Sequence, residues 1–302
     1  MSAAQEMAEA VGLDSLAGAC DCHIHIIGTP DVYPFAEDRT YTPGPASVPA
    51  LRAHLDSIGF TRMVVVQPSV YGTDNRCTLD GMKEFGPEAR GVAVIGDDID
   101  DAELDALHAA GIRGIRVNVE SAGIAGTDAV VAETHRVAKL VARLGWHVQL
   151  FVSAKIVQES VSQLTDVGVP VVFDHFAKVT HEGNGVAPAF RPLLDLIASG
   201  KAYVKLSALY RHEFAKDEDA LTGVVRDFVD ANEDRCVWAS DWPHTSNSRR
   251  TPETRFDIEP FRKVDNKDVV LGLARRIGDP AKLKKVLIDN PARLYDYAGD
   301  NA

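Results

Sequence analysis

Residues 19–26 read Ala-Cys-Asp-Cys-His-Ile-His-Ile, a short apolar stretch with a polar side chain at alternate positions. This alternation is typical of a β-strand, in which successive side chains point to opposite faces. Asp21, His23 and His25 are therefore predicted on one face, with the cysteines and isoleucines on the other. Two imidazoles on one face can bind a metal, polarise a carbonyl group or bind an anion. The alternative is a pair of histidines that merely caps a strand, because so short a pattern recurs by chance.

The same strand-like character returns along the chain, separated each time by a longer amphipathic stretch. The predicted strands are residues 19–26, 63–67, 91–95, 114–118, 147–151, 169–174, 202–206 and 236–239. Helical patterns lie between them, several beginning at Asp or Thr residues that can cap a helix. Eight such alternations in 302 residues favour an α/β fold, a (β/α)₈ TIM-like barrel. A doubly wound open sheet is disfavoured because no Gly-x-Gly-x-x-Gly follows the first strand.

The barrel is predicted to form one distorted domain over residues 19–302, and no linker-like change of composition divides it. Residues 1–18 are predicted to be a poorly ordered N-terminal tail. Helical patterns at residues 264–276 and 280–287 follow the eighth strand and predict extra C-terminal helices. Residues 27–47 contain several Pro and two Tyr, and are predicted to form a long loop able to cover a pocket.

The chain is acidic, with a net charge of −12, and is 45% hydrophobic and 25% charged. This balance predicts a globular protein with a large core, and it argues against a nucleic-acid or anionic membrane surface. We expect a small-molecule partner and a monomer or homodimer. No Cys-x-x-Cys pair occurs, and no membrane-length apolar run or signal-peptide pattern is present, so we expect reduced core thiols and a cytoplasmic location. The four cysteines are Cys20, Cys22, Cys77 and Cys236.

Polar residues concentrate where the predicted strands end, which in a barrel of this kind is where functional groups meet. Taken singly, each has a structural explanation: Asp174 as a buried hydrogen-bond anchor, Arg116 as an ion-pair partner, His244 as a loop cap. Their joint placement on one barrel face indicates an active site. The residues are His23, His25, Gln67, Ser69, Tyr71, Arg116, Asn118, Asp174, His175, Lys205, Ser207, Tyr210, Arg211, Ser240, Asp241 and His244.

Four short motifs carry a family resemblance: Asp21-Cys-His-Ile-His25, Phe173-Asp-His175, Ser240-Asp-Trp-Pro-His244 and, near the end, Asn290-Pro-Ala-Arg-Leu-Tyr295. Together they resemble the amidohydrolase superfamily in its amidohydrolase 2 branch, and within it the hydrolases of pyrone-dicarboxylate and muconolactone-type lactones. The resemblance implies that Asp241 is the base and that His23, His25 and His175 surround the reacting carbonyl. It also implies that Arg116 and Arg211 hold substrate carboxylates. Ser69, Tyr41, Tyr71 and His244 are expected to line the substrate pocket.

The chain also departs from the family pattern. Typical metal-dependent members use a Lys or Glu from the fourth strand and a His from the fifth, whereas this chain has Arg116 and Phe151 there. A binuclear centre is therefore not expected, and the cofactor is either none or one Zn²⁺ held by the three histidines and Asp241. The metal-free alternative is slightly favoured. A second Arg and a Tyr of the pyrone-dicarboxylate enzymes are replaced near Ala122 and at Phe151, which favours a smaller or differently charged acid, such as a sulfonated muconolactone.

The expected reaction is hydrolysis of a small anionic lactone in aromatic-compound catabolism, with water activated by Asp241. Three alternatives remain at this stage. A zinc-dependent decarboxylase of aromatic or muconate-type acids, or a sugar-acid lactone isomerase, would share the fold and the His-x-His motif. The third is a ligand-binding protein on a barrel that has lost its activity, against which Asp241 and three histidines argue.

Overall fold

The computed structural model describes residues 2–118, 126–245 and 250–297, so the position of Ala122 lies outside the described residues. Eight parallel strands form one sheet in which each strand pairs with the next along the chain. This order is that of a (β/α)₈ barrel. The strands are β1 (Cys20–Ile24), β2 (Arg62–Val66), β3 (Ala89–Ala93), β4 (Ile112–Asn118), β5 (His147–Phe151), β6 (Val171–Phe173), β7 (Ala202–Ser207) and β8 (Cys236–Ala239).

The barrel closes between β1 and β8 through a few backbone hydrogen bonds. Asp241 N–H donates to the carbonyl of His23 at 3.0 Å, and His25 N–H donates to the carbonyl of Trp242 at 2.9 Å. A parallel bridge between Ile24 and Trp242 accompanies them. The seam is shorter than the other strand pairs, so the predicted distorted barrel is confirmed, and residues of the predicted site form its closure.

Helices connect the strands, and side chains cap several of them. Ser47 caps α2, Asp217 caps α8 and Asp265 caps α9, each accepting from backbone N–H groups of the first turn. The helices that follow β8 confirm the predicted C-terminal extension. The helices are α1 (Ala3–Val11), α2 (Val48–Ile58), α3 (Arg76–Lys83), α4 (Asp101–Ala109), α5 (Thr127–Val141), α6 (Ala154–Ser160), α7 (Arg191–Ala198), α8 (Glu218–Asn232), α9 (Asn266–Ile277), α10 (Pro280–Lys284) and α11 (Asn290–Leu294).

The N-terminal segment differs from its prediction. Residues 3–11 form a helix instead of a poorly ordered tail, and Met7, Ala8 and Val11 on one face of it are buried. A capping box between Ser2 and Gln5 satisfies the first free N–H groups. The Ser-x-x-Gln pattern was a readable signal of this helix start. Helix α1 packs on α2 and α9, so burial of its apolar face orders it.

A small apolar cluster fills the barrel interior below the predicted site, and aromatic residues after α11 close its lower end. Tyr297 donates to the carbonyl of Met63 at 2.8 Å, and the guanidinium groups of Arg62 and Arg90 lie 4.7 and 4.6 Å from its ring centre. The four cysteines are buried and unpaired, as predicted. The cluster contains Cys20, Cys22, Val64, Val66, Val92, Val172, Tyr203, Val237, Ala239, Leu294, Tyr295 and Tyr297.

Two loops at the mouth of the barrel are joined. Thr42–Pro43, within the long loop after β1, pairs in parallel with Ile258–Glu259, which follows β8. A short hairpin after β6 packs on α8, where Val186 N–H donates to Asp227 at 2.7 Å. Among the described helices, none combines the length and apolarity needed to cross a bilayer.

Candidate active site

His23 and His25 come together at the end of β1, with their Nε2 atoms 3.3 Å apart. The register of β1 against β2 shifts between Asp21 and Ile24, which interrupts the simple alternation of faces. The prediction that Asp21 shares their face is therefore wrong. Its carboxylate instead accepts from His54 on α2 at 3.0 Å and from the N–H of Ser240 at 2.9 Å.

Asp241 and His175 complete a cluster at the same point. The Asp241 Oδ1 atom lies 3.7 Å from Nε2 of both His23 and His25, and 3.8 Å from Nε2 of His175. All four side chains are buried. Three predicted strand ends, those of β1, β6 and β8, thus supply four groups that converge on one buried point.

The backbone that carries these groups is strained. His175–Lys178 have φ between 50° and 52°, and Asp241 and His244 have φ of 64° and 69°. None of these residues is glycine, and each such left-handed conformation costs roughly 1–2 kcal/mol. Strain of this kind persists where the surrounding structure enforces it, commonly at functional sites.

Hydrogen bonds at Nδ1, the ring nitrogen that points away from the cluster, fix the protons of His23 and His25. The Nδ1 atom of His25 lies 2.7 Å from the carbonyl oxygen of Val66, which can only accept. The Nδ1 atom of His23 lies 3.1 Å from a carboxylate oxygen of Asp174, which is nearer than the Lys205 ammonium at 3.3 Å, and that ammonium donates to closer carbonyl oxygens of Cys22 and Gln149. Burial lowers the pKa of both imidazoles, that of His25 to about 4, so both rings are neutral near pH 7. Each therefore carries its proton on Nδ1 and a lone pair on Nε2.

His175 follows the same arrangement. Its Nδ1 atom lies 2.8 Å from Oγ of Ser207, and that hydroxyl donates to the carbonyl of Lys205 at 3.4 Å. The Ser207 oxygen is thus left to accept from His175. Burial also lowers the pKa of His175 well below its ordinary value. Three imidazole lone pairs therefore face Asp241 Oδ1.

This donor set fits a single metal ion. Zn²⁺ binds His nitrogen and carboxylate oxygen at about 2.0–2.2 Å in tetrahedral geometry, which separates neighbouring ligand atoms by about 3.3–3.6 Å. The separations of 3.3 and 3.7 Å among His23, His25 and Asp241 are close to that value, and His175 adds a fourth ring 3.8 Å from Asp241 Oδ1. Histidine and aspartate groups able to hold a metal are thus present among the described residues.

The second oxygen of Asp241 is held from the other side. Tyr210 donates to Oδ2 at 2.6 Å and Arg211 Nε donates at 3.0 Å. Burial alone would raise the pKa of Asp241, but the groups around it, with the charged Arg211 guanidinium bound to Oδ2, hold that pKa well below its ordinary range. Arg211 also reaches Thr245 at 3.2 and 3.3 Å. These contacts orient Asp241, and the expected role of Arg211 as a holder of substrate carboxylates stays a prediction.

A buried polar network supports His23 from below. Lys205 Nζ donates to Cys22 O at 2.9 Å and to Gln149 Oε1 at 2.7 Å, and the Gln149 amide donates to Asp174 at 3.0 Å. Burial would raise the pKa of Asp174, but Lys205 and Arg116 lower it, so this carboxylate is ionised and fixes the Nδ1 proton of His23. The sequence analysis did not identify Gln149, which is recognisable there only as a polar residue inside an apolar strand.

Arg116 keeps hydrogen-bonding capacity for a ligand. It is 6% exposed, pairs with Asp174 at 3.4 Å and lies 5.0 Å from the ring centre of Phe151. Its Nε atom has no hydrogen-bond partner among the described residues. The charge of Arg116 also acts on the hydroxyl of Tyr41, which interacts with Ser69. Arg116, Tyr41 and Ser69 thus lie close to one another, and their place in the lining of the substrate pocket stays a prediction.

Two further predicted pocket residues have partners within the protein. The Tyr71 hydroxyl accepts from the N–H of Gly28 at 3.1 Å, and its ring packs on Phe35, so Tyr71 fixes the loop after β1. His244 lies beside Tyr210, with ring centres 5.8 Å apart, and its Nε2 atom is 2.9 Å from the side-chain nitrogen of Asn266. The sequence analysis did not identify Asn266.

Comparison with known proteins agrees with this geometry. The amidohydrolase family, in its Amidohydro_2 branch, matches residues 20–297. The chain belongs to this amidohydrolase family. It is 33% identical over 290 residues to the 2-pyrone-4,6-dicarboxylate hydrolase of Comamonas testosteroni, covering 92% of this chain and 90% of the relative. It is 27% identical over 289 residues to the 4-sulfomuconolactone hydrolase of Hydrogenophaga intermedia, covering 94% and 91%.

A solved amidohydrolase structure extends the likeness to the backbone. It is a probable 2-pyrone-4,6-dicarboxylic acid hydrolase from Acinetobacter baumannii, with citric acid bound. It superposes with a TM-score of 0.75 at 25% identity, covering 92% of this chain and 99% of the other. The family predicted from the four motifs is therefore confirmed.

Proposed function

We propose that the protein hydrolyses the ring ester of a small anionic lactone, of the muconolactone or pyrone-carboxylate type, in the catabolism of aromatic compounds. The observation that carries the proposal is the buried cluster of Asp241 and three imidazole Nε2 atoms, with Arg116 close by. Relatives that cover most of this chain are named for the hydrolysis of such lactones. The substrate is a small molecule that enters from the carboxyl ends of the strands.

The anionic character of the substrate follows from the cations at the site. Arg116 is buried, and its Nε donor lacks a partner among the described residues. A guanidinium group binds carboxylate or sulfonate oxygens in pairs, and a neutral ligand would leave that buried donor unsatisfied. Arg116 therefore selects and orients an acidic lactone.

We also propose that the site holds one divalent ion of the Zn²⁺ class through His23, His25, His175 and Asp241. A metal-free site, which the sequence slightly favours, requires imidazoles that donate hydrogen bonds to the substrate carbonyl. Their Nδ1 protons are already donated to Val66, Asp174 and Ser207, so the Nε2 atoms are acceptors. A bound ion of this class polarises a carbonyl group and lowers the pKa of a bound water.

Within the proposed reaction, Asp241 Oδ1 takes a proton from the attacking water. The Oδ2 atom is occupied by Tyr210 and Arg211, which leaves Oδ1 as the atom that faces the histidines. The lowered pKa of Asp241 keeps it ionised, so the base needs no activation at neutral pH. Water adds to the ester carbonyl, the ring C–O bond breaks, and the proton held by Asp241 passes to the departing ring oxygen, which gives a ring-opened acid and restores the carboxylate.

The proposal is tested with purified protein and a panel of lactones: 2-pyrone-4,6-dicarboxylate, 4-sulfomuconolactone, the uncharged dimethyl ester of the first and a neutral lactone of similar size. Ring opening is followed by absorbance. We expect turnover of at least one anionic lactone and at least 10-fold weaker turnover of the neutral ones, since a charged hydrogen bond contributes about 1.5–3 kcal/mol. No ring opening with any lactone, or equal turnover of neutral and anionic lactones, would contradict the proposal.

A further inference from the structure

A buried network of hydrogen-bonded side chains joins His244 to the outer side of β1. Asp21 contacts His54 Nε2 at 3.0 Å, and the amide nitrogen of Asn266 lies 3.4 Å from His54 Nδ1 and 2.9 Å from His244 Nε2. All four residues are buried. This network joins β1, α2, the start of α9 and the segment after β8. Residues far apart in sequence therefore act together on the imidazole of His244.

The direction of each hydrogen bond in this network follows from Asp21. The Asp21 carboxylate also accepts from the N–H groups of His23 and Ser240, so it receives the His54 Nε2 proton as well. In a neutral His54 ring, Nδ1 is then an acceptor. The Asn266 amide has two hydrogens, and its nitrogen lies within reach of both imidazole acceptors. Asn266 therefore donates to His54 and to His244.

The consequence for His244 is a fixed tautomer. A ring that accepts at Nε2 carries its proton on Nδ1, at the edge turned away from Asn266. That Nδ1 atom is buried and has no hydrogen-bond partner among the described residues. His244 is only 4% exposed, and its backbone N–H donates to the carbonyl of Asp241 at 2.8 Å. A buried donor without a partner is costly unless a ligand satisfies it.

We infer that Asn266 is a positioning residue that holds His244 as a hydrogen-bond donor toward an acceptor oxygen of the substrate. This inference rests on the proposed function, because the acceptor is an acidic or carbonyl oxygen of the lactone. His244 thus adds a neutral donor to the charged one of Arg116. The pair selects a ligand with acceptor oxygens at two positions.

The experiment replaces the amide donor by an acceptor of the same shape. In Asn266→Asp the new carboxylate accepts a hydrogen bond from His244 Nε2, so the ring proton moves from Nδ1 to Nε2. The Nδ1 atom of His244 then presents an acceptor to the substrate where the wild type presents a donor. We expect KM for the anionic lactone to rise about 10- to 100-fold, as for the loss of a hydrogen bond to a charged group, while kcat changes less than about 3-fold. Asn232→Asp, at the end of α8 and remote from the site, is the matched control and should leave KM unchanged.

A second readout does not depend on activity. Long-range ¹H–¹⁵N spectra of ¹⁵N-histidine-labelled protein, assigned with His244→Gln, report which ring nitrogen carries the proton. We expect the Nδ1–H tautomer in the wild type and Nε2–H in Asn266→Asp. An Nε2–H tautomer in the wild type, or an unchanged KM and tautomer in a folded Asn266→Asp, would overturn the inference. An inactive wild type with the expected tautomers would count against the lactone substrate alone.

Discussion

The Nε2 atom of His23 lies 3.3 Å from the Nε2 atom of His25, and each ring has its proton fixed at the opposite nitrogen. Two lone pairs at this distance repel each other, and Asp241 Oδ1 adds a negative charge 3.7 Å from both. The cation proposed to lie between the three atoms would remove this repulsion. The contact between the two rings therefore supports the proposed metal site over a pair of carbonyl donors.

The first prediction concerns metal content. Purified protein should contain about one equivalent of Zn²⁺ or a similar ion, and its removal by chelation should lower kcat by at least about 100-fold, with recovery on adding zinc. Elemental analysis and activity are measured on the same samples. Full activity in protein with no more than trace metal would contradict the proposed ion.

The second prediction separates ligands from other histidines. His25→Ala should lower bound metal and activity together, and excess zinc should restore part of both, because one ligand of about four is lost. His135→Ala is the matched control, since His135 is a half-buried residue on α5 that contacts only the carbonyl of Gln163 among the hydrogen bonds described. Loss of activity in His25→Ala with unchanged metal content would remove His25 from the ligand set.

The third prediction concerns the base. Asp241→Asn should remain folded and lose roughly 10²–10⁴-fold in kcat, the range for loss of a general base. Steady-state kinetics at saturating lactone measures the effect, and circular dichroism checks the fold. Turnover near that of the wild type would exclude Asp241 from the reaction.

The fourth prediction distinguishes the two arginines. Arg116→Met should raise KM for a carboxylated lactone much more than for its methyl ester, because a charge-assisted pair of about 1.5–3 kcal/mol is lost only with the acid. Arg211→Met should instead lower kcat for acid and ester alike, because Arg211 binds Asp241. A selective loss of the acid in Arg211→Met would return the carboxylate-binding role to Arg211.

The fifth prediction concerns stability. A Cβ at Gly223 on α8 would overlap the backbone oxygen of Asn184, whereas at Gly272 on α9 it would meet only the flexible end of Arg276. Gly223→Ala should therefore destabilise by about 1–3 kcal/mol through overpacking. Gly272→Ala should gain up to about 1 kcal/mol from helix propensity. Urea unfolding measures both, and a stabilised Gly223→Ala would contradict the packing described.

The sequence predicted the barrel well because strand alternation and strand-end polarity are local patterns. It placed His23, His25, His175 and Asp241 together for the same reason. It misplaced Asp21, because a register shift depends on the neighbouring strand and leaves no signal in the alternation. It missed Asn266, because the contacts of that amide reach His54, 212 residues away, through the packing of α9 on α2.

Hydrolysis itself is tested most directly by the mass of the product formed from 2-pyrone-4,6-dicarboxylate in ¹⁸O-labelled water. The account predicts a product heavier than the substrate by one molecule of water, with a single ¹⁸O in the new carboxylate, and none of this product with Asp241→Asn. A product of unchanged mass would indicate isomerisation, and a product that has lost CO₂ would indicate decarboxylation. Either result would contradict the assignment of this site to lactone hydrolysis.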